Sequence, residues 1–109
     1  MELKLVAPFI GKSLVFRLFN ADNEVFGFLD GELLVDKKTE GDPSFQEDSA
    51  RELSTGFHRL VVGGVNWGGP AHYRWSIILD GVVRDEVDLR QGASPNGLSY
   101  YVAYSILTP

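Results

Sequence analysis

Hydrophobic and polar side chains alternate along most of this chain, and almost no stretch shows a helical period. In residues 98–106, Leu98, Tyr100, Val102, Tyr104 and Ile106 fall on one face of a predicted strand, with Ser99, Tyr101, Ala103 and Ser105 on the other. The stretch 72–79 sets Tyr73, Trp75, Ile77 and Leu79 against His72, Arg74 and Ser76 in the same way. Residues 57–65 form a β-branched run broken by Gly63 and Gly64, which predicts a bulge or a close backbone approach there. Leu14, Phe16 and Leu18 give one face of 13–19, and 2–6, 25–29, 32–36 and 82–89 are shorter strand candidates.

Two tight turns are written alike. Leu29-Asp30-Gly31 and Leu79-Asp80-Gly81 each place Asp-Gly between apolar runs, which suits a type I′ hairpin turn. Each is preceded by a strand, an Asn-containing loop and a second strand, and is followed by a similar third strand. The repetition predicts two three-stranded antiparallel units offset by 50 residues and packed face to face, with 57–65 and 72–79 pairing as neighbours. The polar stretch 37–54 reads as a long crossing connection with a short strand or one helical turn near 45–53, and 91–97 reads as a loop. Seven or eight strands at this spacing predict an all-β, antiparallel β-sandwich, with a small barrel as the alternative. A length of 109 residues amounts to one domain, 1–109.

Composition agrees with a packed interior: 44% of residues are hydrophobic, and seven Phe, four Tyr and two Trp supply bulk. There is no cysteine, which excludes disulfides, thiolate metal sites and cysteine nucleophiles. The net charge of −5 argues against a nucleic-acid partner, because there is no excess of cations to neutralise phosphate. The acidity is local: residues 22–52 carry −7, residues 1–21 carry +2, and 53–109 are neutral, which reads as one solvated acidic face. No basic segment runs into an apolar core, and no apolar run approaches the roughly 20 residues that span a bilayer. No membrane partner is expected, and the chain reads as cytoplasmic.

Candidate chemistry is sparse. His58 and His72 each stand alone on the predicted solvent side of a strand and too far apart to share zinc, so no metal or cofactor is expected. No Gly-x-Ser-x-Gly elbow, His-Glu-x-x-His helix or EF-hand spacing occurs. Glu86 and Asp88 share a strand face with Arg84 and read, with Asp85, as a charged solvated strand rather than a carboxylate pair at work. The chain is therefore read as non-catalytic. Its most informative stretch is Asn66-Trp67-Gly68-Gly69-Pro70-Ala71-His72-Tyr73, in the 64–73 loop. A Trp among helix-breaking residues can offer its ring to the apolar face of a sugar, while Asn66 and His72 supply hydrogen bonds. Asn66, Trp67 and His72 are thus the candidate ligand-binding residues, for a glycan or another polar small ligand; a Trp67 folded back to plug the sandwich fits the same sequence. The run Gly56–Asn66 followed by Tyr-x-Trp-x-Ile-x-Leu-Asp-Gly resembles the late strands of accessory β-sandwich modules, which by analogy favours binding over catalysis. The alternative is a structural or self-assembly protein forming a homo-oligomer through sheet faces or edges, with Val15 and Phe19 around Arg17, and Tyr101, as surplus apolar surface.

Overall fold

Nine strands form among residues 2–93 and 98–109, which are the residues that the computed structural model describes. They are β1 (Glu2–Ile10), β2 (Ser13–Asp22), β3 (Glu24–Leu29), β4 (Glu32–Lys38), β5 (Glu47–Glu52), β6 (Gly56–Asn66), β7 (Ala71–Leu79), β8 (Val82–Gln91) and β9 (Leu98–Thr108). A five-stranded sheet, β1-β9-β6-β3-β4, packs against a four-stranded sheet, β5-β2-β7-β8. This is the β-sandwich that the alternation predicts. The count is nine rather than seven or eight because the polar stretch 37–54 contributes a full edge strand, β5, paired to β2 from Ser13↔Glu52 to Leu18↔Glu47. Every pairing is antiparallel except β1 with β9, which is parallel. Residues 94–97 of the predicted 91–97 loop, and the side chain of Leu98, lie outside the described residues.

Both Asp-Gly sequences are two-residue hairpin turns. Asp30 and Gly31 have φ of 50° and 82°, and Asp80 and Gly81 have 50° and 78°, so all four occupy the left-handed region that a type I′ turn requires. Each aspartate also latches its turn to a neighbouring strand. The Asp30 amide donates to the Arg59 carbonyl (2.8 Å), and Asp30 Oδ1 accepts from the Arg59 amide (2.9 Å). The Asp80 amide donates to the Ser13 carbonyl (2.9 Å), and Asp80 Oδ1 accepts from the Ser13 amide (3.0 Å).

The two predicted units exist as chain segments, β2-β3-β4 and β6-β7-β8, but neither makes a sheet alone. Only β3–β4 and β7–β8 are hairpins; every other connection between the described strands crosses from one sheet to the other. Consequently β2 pairs with β7 and β3 with β6, and the units interlock. The expected pairing of 57–65 with 72–79 is therefore wrong: β6 and β7 lie in opposite sheets. Both strands carry an apolar face, and side by side those faces would need a further layer to cover them. In opposite sheets they cover each other. Nor do Gly63 and Gly64 form a bulge, since the register of β6 with both neighbours runs unbroken across them. They are close approaches: a Cβ on Gly64 would lie 2.6 Å from the Tyr73 ring, and one on Gly63 would lie 2.5 Å from the Phe26 ring.

The core lies between Phe16, Leu18, Tyr73, Trp75 and Ile77 of one sheet and Leu60, Val62, Val102, Tyr104 and Ile106 of the other, all fully buried. A hydrogen-bond chain crosses it. Trp75 Nε1–H donates to the Tyr104 hydroxyl (3.1 Å), which donates to Asp85 Oδ2 (2.6 Å). A register shift between Ile77 and Ile78 accompanies the inward turn of Asp85, away from the exposed Glu86 and Asp88. Burial, and then the bond to Asp85, push the Tyr104 hydroxyl far above its ordinary pKa, so it remains a donor.

Two stability predictions follow from these features, both read by urea denaturation. Gly81→Val should cost about 1 kcal/mol or more, because a β-branched residue resists positive φ. Tyr104→Phe should cost about 1–3 kcal/mol, because it strips Asp85 of its donor and Trp75 of its acceptor while leaving the ring in place.

Candidate functional site

The turn from β6 to β7 is held from inside. Asn66, only 2% exposed, donates through Nδ2 to the Gly92 carbonyl (3.3 Å), and its Oδ1 accepts from the Gly68 amide (2.9 Å). Gly68 has φ of 125°, a conformation that suits a residue without a side chain. The amide of Trp67 donates to Asn23 Oδ1 (2.8 Å), and this fixes the backbone from which the indole projects. Trp67 as a residue is 57% exposed. It faces a groove of about 280 Å³ shared with Lys38, Thr39 and Glu40 at the end of β4. Thr39 is pinned to the same β2–β3 connection, its amide donating to the Ala21 and Asn23 carbonyls (both 3.1 Å) and its hydroxyl to Ala21 (2.9 Å). Both walls of the groove are thus anchored to one short stretch, Ala21 to Asn23.

His72 is elsewhere and otherwise employed. It points away from the core, as its place in the alternation predicts, but it is 5% exposed rather than open to solvent. The connection after β4 folds over it. Asp42 Oδ1 and Oδ2 lie 2.9 Å from His72 Nδ1, and Asp88 Oδ1 lies 2.6 Å from Nε2. Asn20 Nδ2 donates to Asp42 (2.9 Å), and Arg90 approaches it at 3.4 Å. Partial burial works against the charge of Asp42, but the bonds from His72 and Asn20 outweigh it and hold the carboxyl below its usual range. Asp42 and Asp88 grip opposite sides of the ring, so their oxygens do not converge, and among the described residues no group of His, Asp and Glu is arranged to hold a metal ion.

Of the three candidate residues, therefore, Trp67 presents its side chain outward, while Asn66 and His72 spend theirs on bonds within the fold. Lys38, Thr39 and Glu40 were missed by sequence reasoning. Nothing in Lys-Thr-Glu at the start of a polar stretch signals that it returns to the Trp67 loop; only the pairing of β3 with both β4 and β6 brings the two together.

His58 is also less open than predicted. Its Nδ1 lies 2.6 Å from Asp30 Oδ2 and its Nε2 lies 2.6 Å from the Ser54 carbonyl oxygen. A neutral imidazole carries one N–H, so both bonds together require the imidazolium. The Asp30 bond, and then the Ser54 bond, raise His58 above its ordinary pKa of 6.5. Burial tends to raise the Asp30 carboxyl, but His58 and the Arg59 amide prevail and lower it from 3.8. The pair adjoins the larger concavity, about 350 Å³, whose walls include Leu33, Arg51 and Leu53. His58 and His72 sit in different sheets with separate partners.

No family model, curated protein or solved structure matches this chain. No helix among the described residues is long and apolar enough to cross a membrane.

The His58 latch carries a signed pH dependence. A raised histidine stabilises fully below its unfolded pKa, and that stabilisation is lost as pH rises through the folded value; a lowered aspartate loses its contribution as pH falls through its folded value. The difference in Tm between the wild-type chain and His58→Gln should therefore be largest near about pH 5–6 and shrink on the alkaline side. A difference that is flat or grows with pH would contradict the latch.

Proposed function

We propose that the protein is a non-catalytic binding module that takes a carbohydrate or a similarly polar small ligand at the groove between Trp67 and Lys38, Thr39 and Glu40. The observation that carries this reading is the exposed indole on an anchored backbone: the Trp67 amide is fixed by Asn23, whereas its ring faces solvent. Large aromatic surface is costly to expose, and an aromatic side chain with only two torsions on an anchored backbone loses little entropy when it stacks on a sugar. Charged and hydroxyl groups sit where they can meet ligand hydroxyls, with Lys38 as donor, Glu40 as acceptor and Thr39, whose hydroxyl proton goes to Ala21, as a further acceptor. In this reading Asn66 and His72 serve the ligand indirectly. Asn66 shapes the loop that carries Trp67, and His72 ties down the chain just after Glu40 through Asp42.

Fluorescence tests it, because the other tryptophan, Trp75, is fully buried and silent to quenchers. Iodide should quench one tryptophan population, and that quenching should be relieved by the saccharide that binds in a glycan-array screen. Trp67→Ala should weaken that binding by about 1–3 kcal/mol and change the urea midpoint little. A Trp67→Ala protein that binds as before, or loses stability on the scale of a core residue, would refute the assignment.

A further inference from the structure

The outer face of the five-stranded sheet is apolar through its middle. Strand register sets Leu5, Ala103, Val61, Phe28 and Leu33 side by side across all five strands. In the next row the rings of Phe26 and Tyr101, 5.9 Å apart, close over the space that a side chain at Gly63 would fill. At the opposite end Phe57 is 75% exposed, as is Leu5 on the first strand. Single exposed apolar residues are ordinary; a continuous band across a sheet marks a surface that something covers. The other sheet shows the contrast, with Arg17 paired to Asp48 and with Arg84, Glu86 and Asp88 exposed on its outside.

Size and charge point to what covers it. The five strands, about 4.8 Å apart, and the nine residues 57–65, rising about 3.4 Å each, span roughly 24 by 31 Å, or about 730 Å² per copy. A standard stable interface takes about 800 Å² per partner, so the face is close to that size. Its charges fall on opposite sides of a line between the Val61 and Gly63 rows, Arg59 on one side and the acids Asp36, beside Phe26, and Glu24 on the other. Arg59 stands two residues before Val61 on β6, with no ion-pair partner among the described residues. Glu24 lies beside Val65, two residues beyond Gly63, with the Asp36 carboxyl next to it and Lys38 at 3.9 Å. A membrane surface would call for a basic cluster, and the net charge is −5.

We propose that a second copy of this chain docks here, the two five-stranded sheets packing face to face about a two-fold axis that runs across the strands between the Val61 and Gly63 rows. A two-fold interface must be complementary to itself. That axis exchanges the Arg59 row with the Val65 row, so each Arg59 meets the Glu24 end of its partner, once on each side of the axis. The apolar band meets its own copy at the spacing of stacked sheets, about 10 Å. The proposal rests on other observations than the Trp67 groove, which meets this face at Lys38, and stands whether or not a sugar binds there.

Sedimentation over a range of micromolar concentrations tests it. The wild-type chain should pass from one to two chain masses as concentration rises. Val61→Lys and Leu33→Lys should stay at one chain mass while keeping the wild-type circular dichroism, and Leu33 is exposed enough that its replacement leaves the core alone. Val82→Lys, on the β7–β8 hairpin of the other sheet, should dimerise as wild type. Arg59→Glu and Glu24→Arg should each raise the dimer Kd about tenfold, and the double variant should recover most of that loss, as expected of paired charges across an interface. A single chain mass at every concentration would overturn the proposal, whatever else bound the face. So would a dimer indifferent to Val61→Lys and Leu33→Lys, or a double charge variant no tighter than either single one.

Discussion

The bond chain from Trp75 through Tyr104 to Asp85 is the constraint around which the sandwich is arranged. Two sheets that met only through methyl groups and rings could slide over one another at little cost. An indole N–H, a phenol and a carboxylate that must all find partners cannot slide. The three residues come from β7, β9 and β8, so one relative placement of the sheets satisfies them together. With that offset set, the Tyr73 ring lies over Gly64 and the Tyr100 ring sits beside Trp75, at 6.4 Å between centroids. No buried polar side-chain atom among the described residues lacks a hydrogen-bond partner.

Around that tie the chain uses one plan twice. Leu29 pairs with Leu60 and Leu79 pairs with Leu14, each just before an Asp-Gly turn whose aspartate captures the residue preceding the partner leucine. Six residues beyond Leu14 and Leu60 stand Asn20 and Asn66, both buried and both bonded to a loop: Asn20 to Asp42, and Asn66 to Gly68 and Gly92. The two asparagines hold the coverings of one end of the sandwich. The two aspartates close the turns at the other. What differs is what each copy was given to hold: His72 under one covering, the exposed Trp67 beside the other.

Much of this was legible in the sequence, and the reasons differ from element to element. The alternation in β7 and β9 named the core faces correctly because both strands run from one end of the sandwich to the other without changing sides. The Asp-Gly turns were legible because positive φ at two successive residues leaves few residue types to choose from. The edge strand β5 was legible only as one of two options, a short strand or a helical turn, since Glu-Asp-Ser-Ala-Arg-Glu has no apolar face to decide between them; it is held by its ladder to β2 and by pairs such as Arg17–Asp48. The exposure of His72 was misjudged for a related reason: periodicity tells which side of a sheet a residue faces, but not whether a polar connection will lie across it. The placing of β6 and β7 in opposite sheets was likewise hidden, because a loop of a few residues serves a hairpin and a crossing equally well.

The parallel seam between β1 and β9 sets the order in which this molecule can be completed. β1 has β9 as its ladder partner, and the joint is finished by the Gly11 amide on the Leu107 carbonyl (3.1 Å) and by the Thr108 hydroxyl on the Gly11 carbonyl (2.8 Å), contacts that span nearly the whole chain. The earliest of the nine described strands thus waits for the latest of them, and closing so long a loop is the slow kind of contact in folding. During synthesis on the ribosome, β2 to β8 can find one another while β1 trails unpaired, an open strand edge in a crowded cell. Pro8, inside that strand, withholds one backbone donor from any stray edge that meets it there.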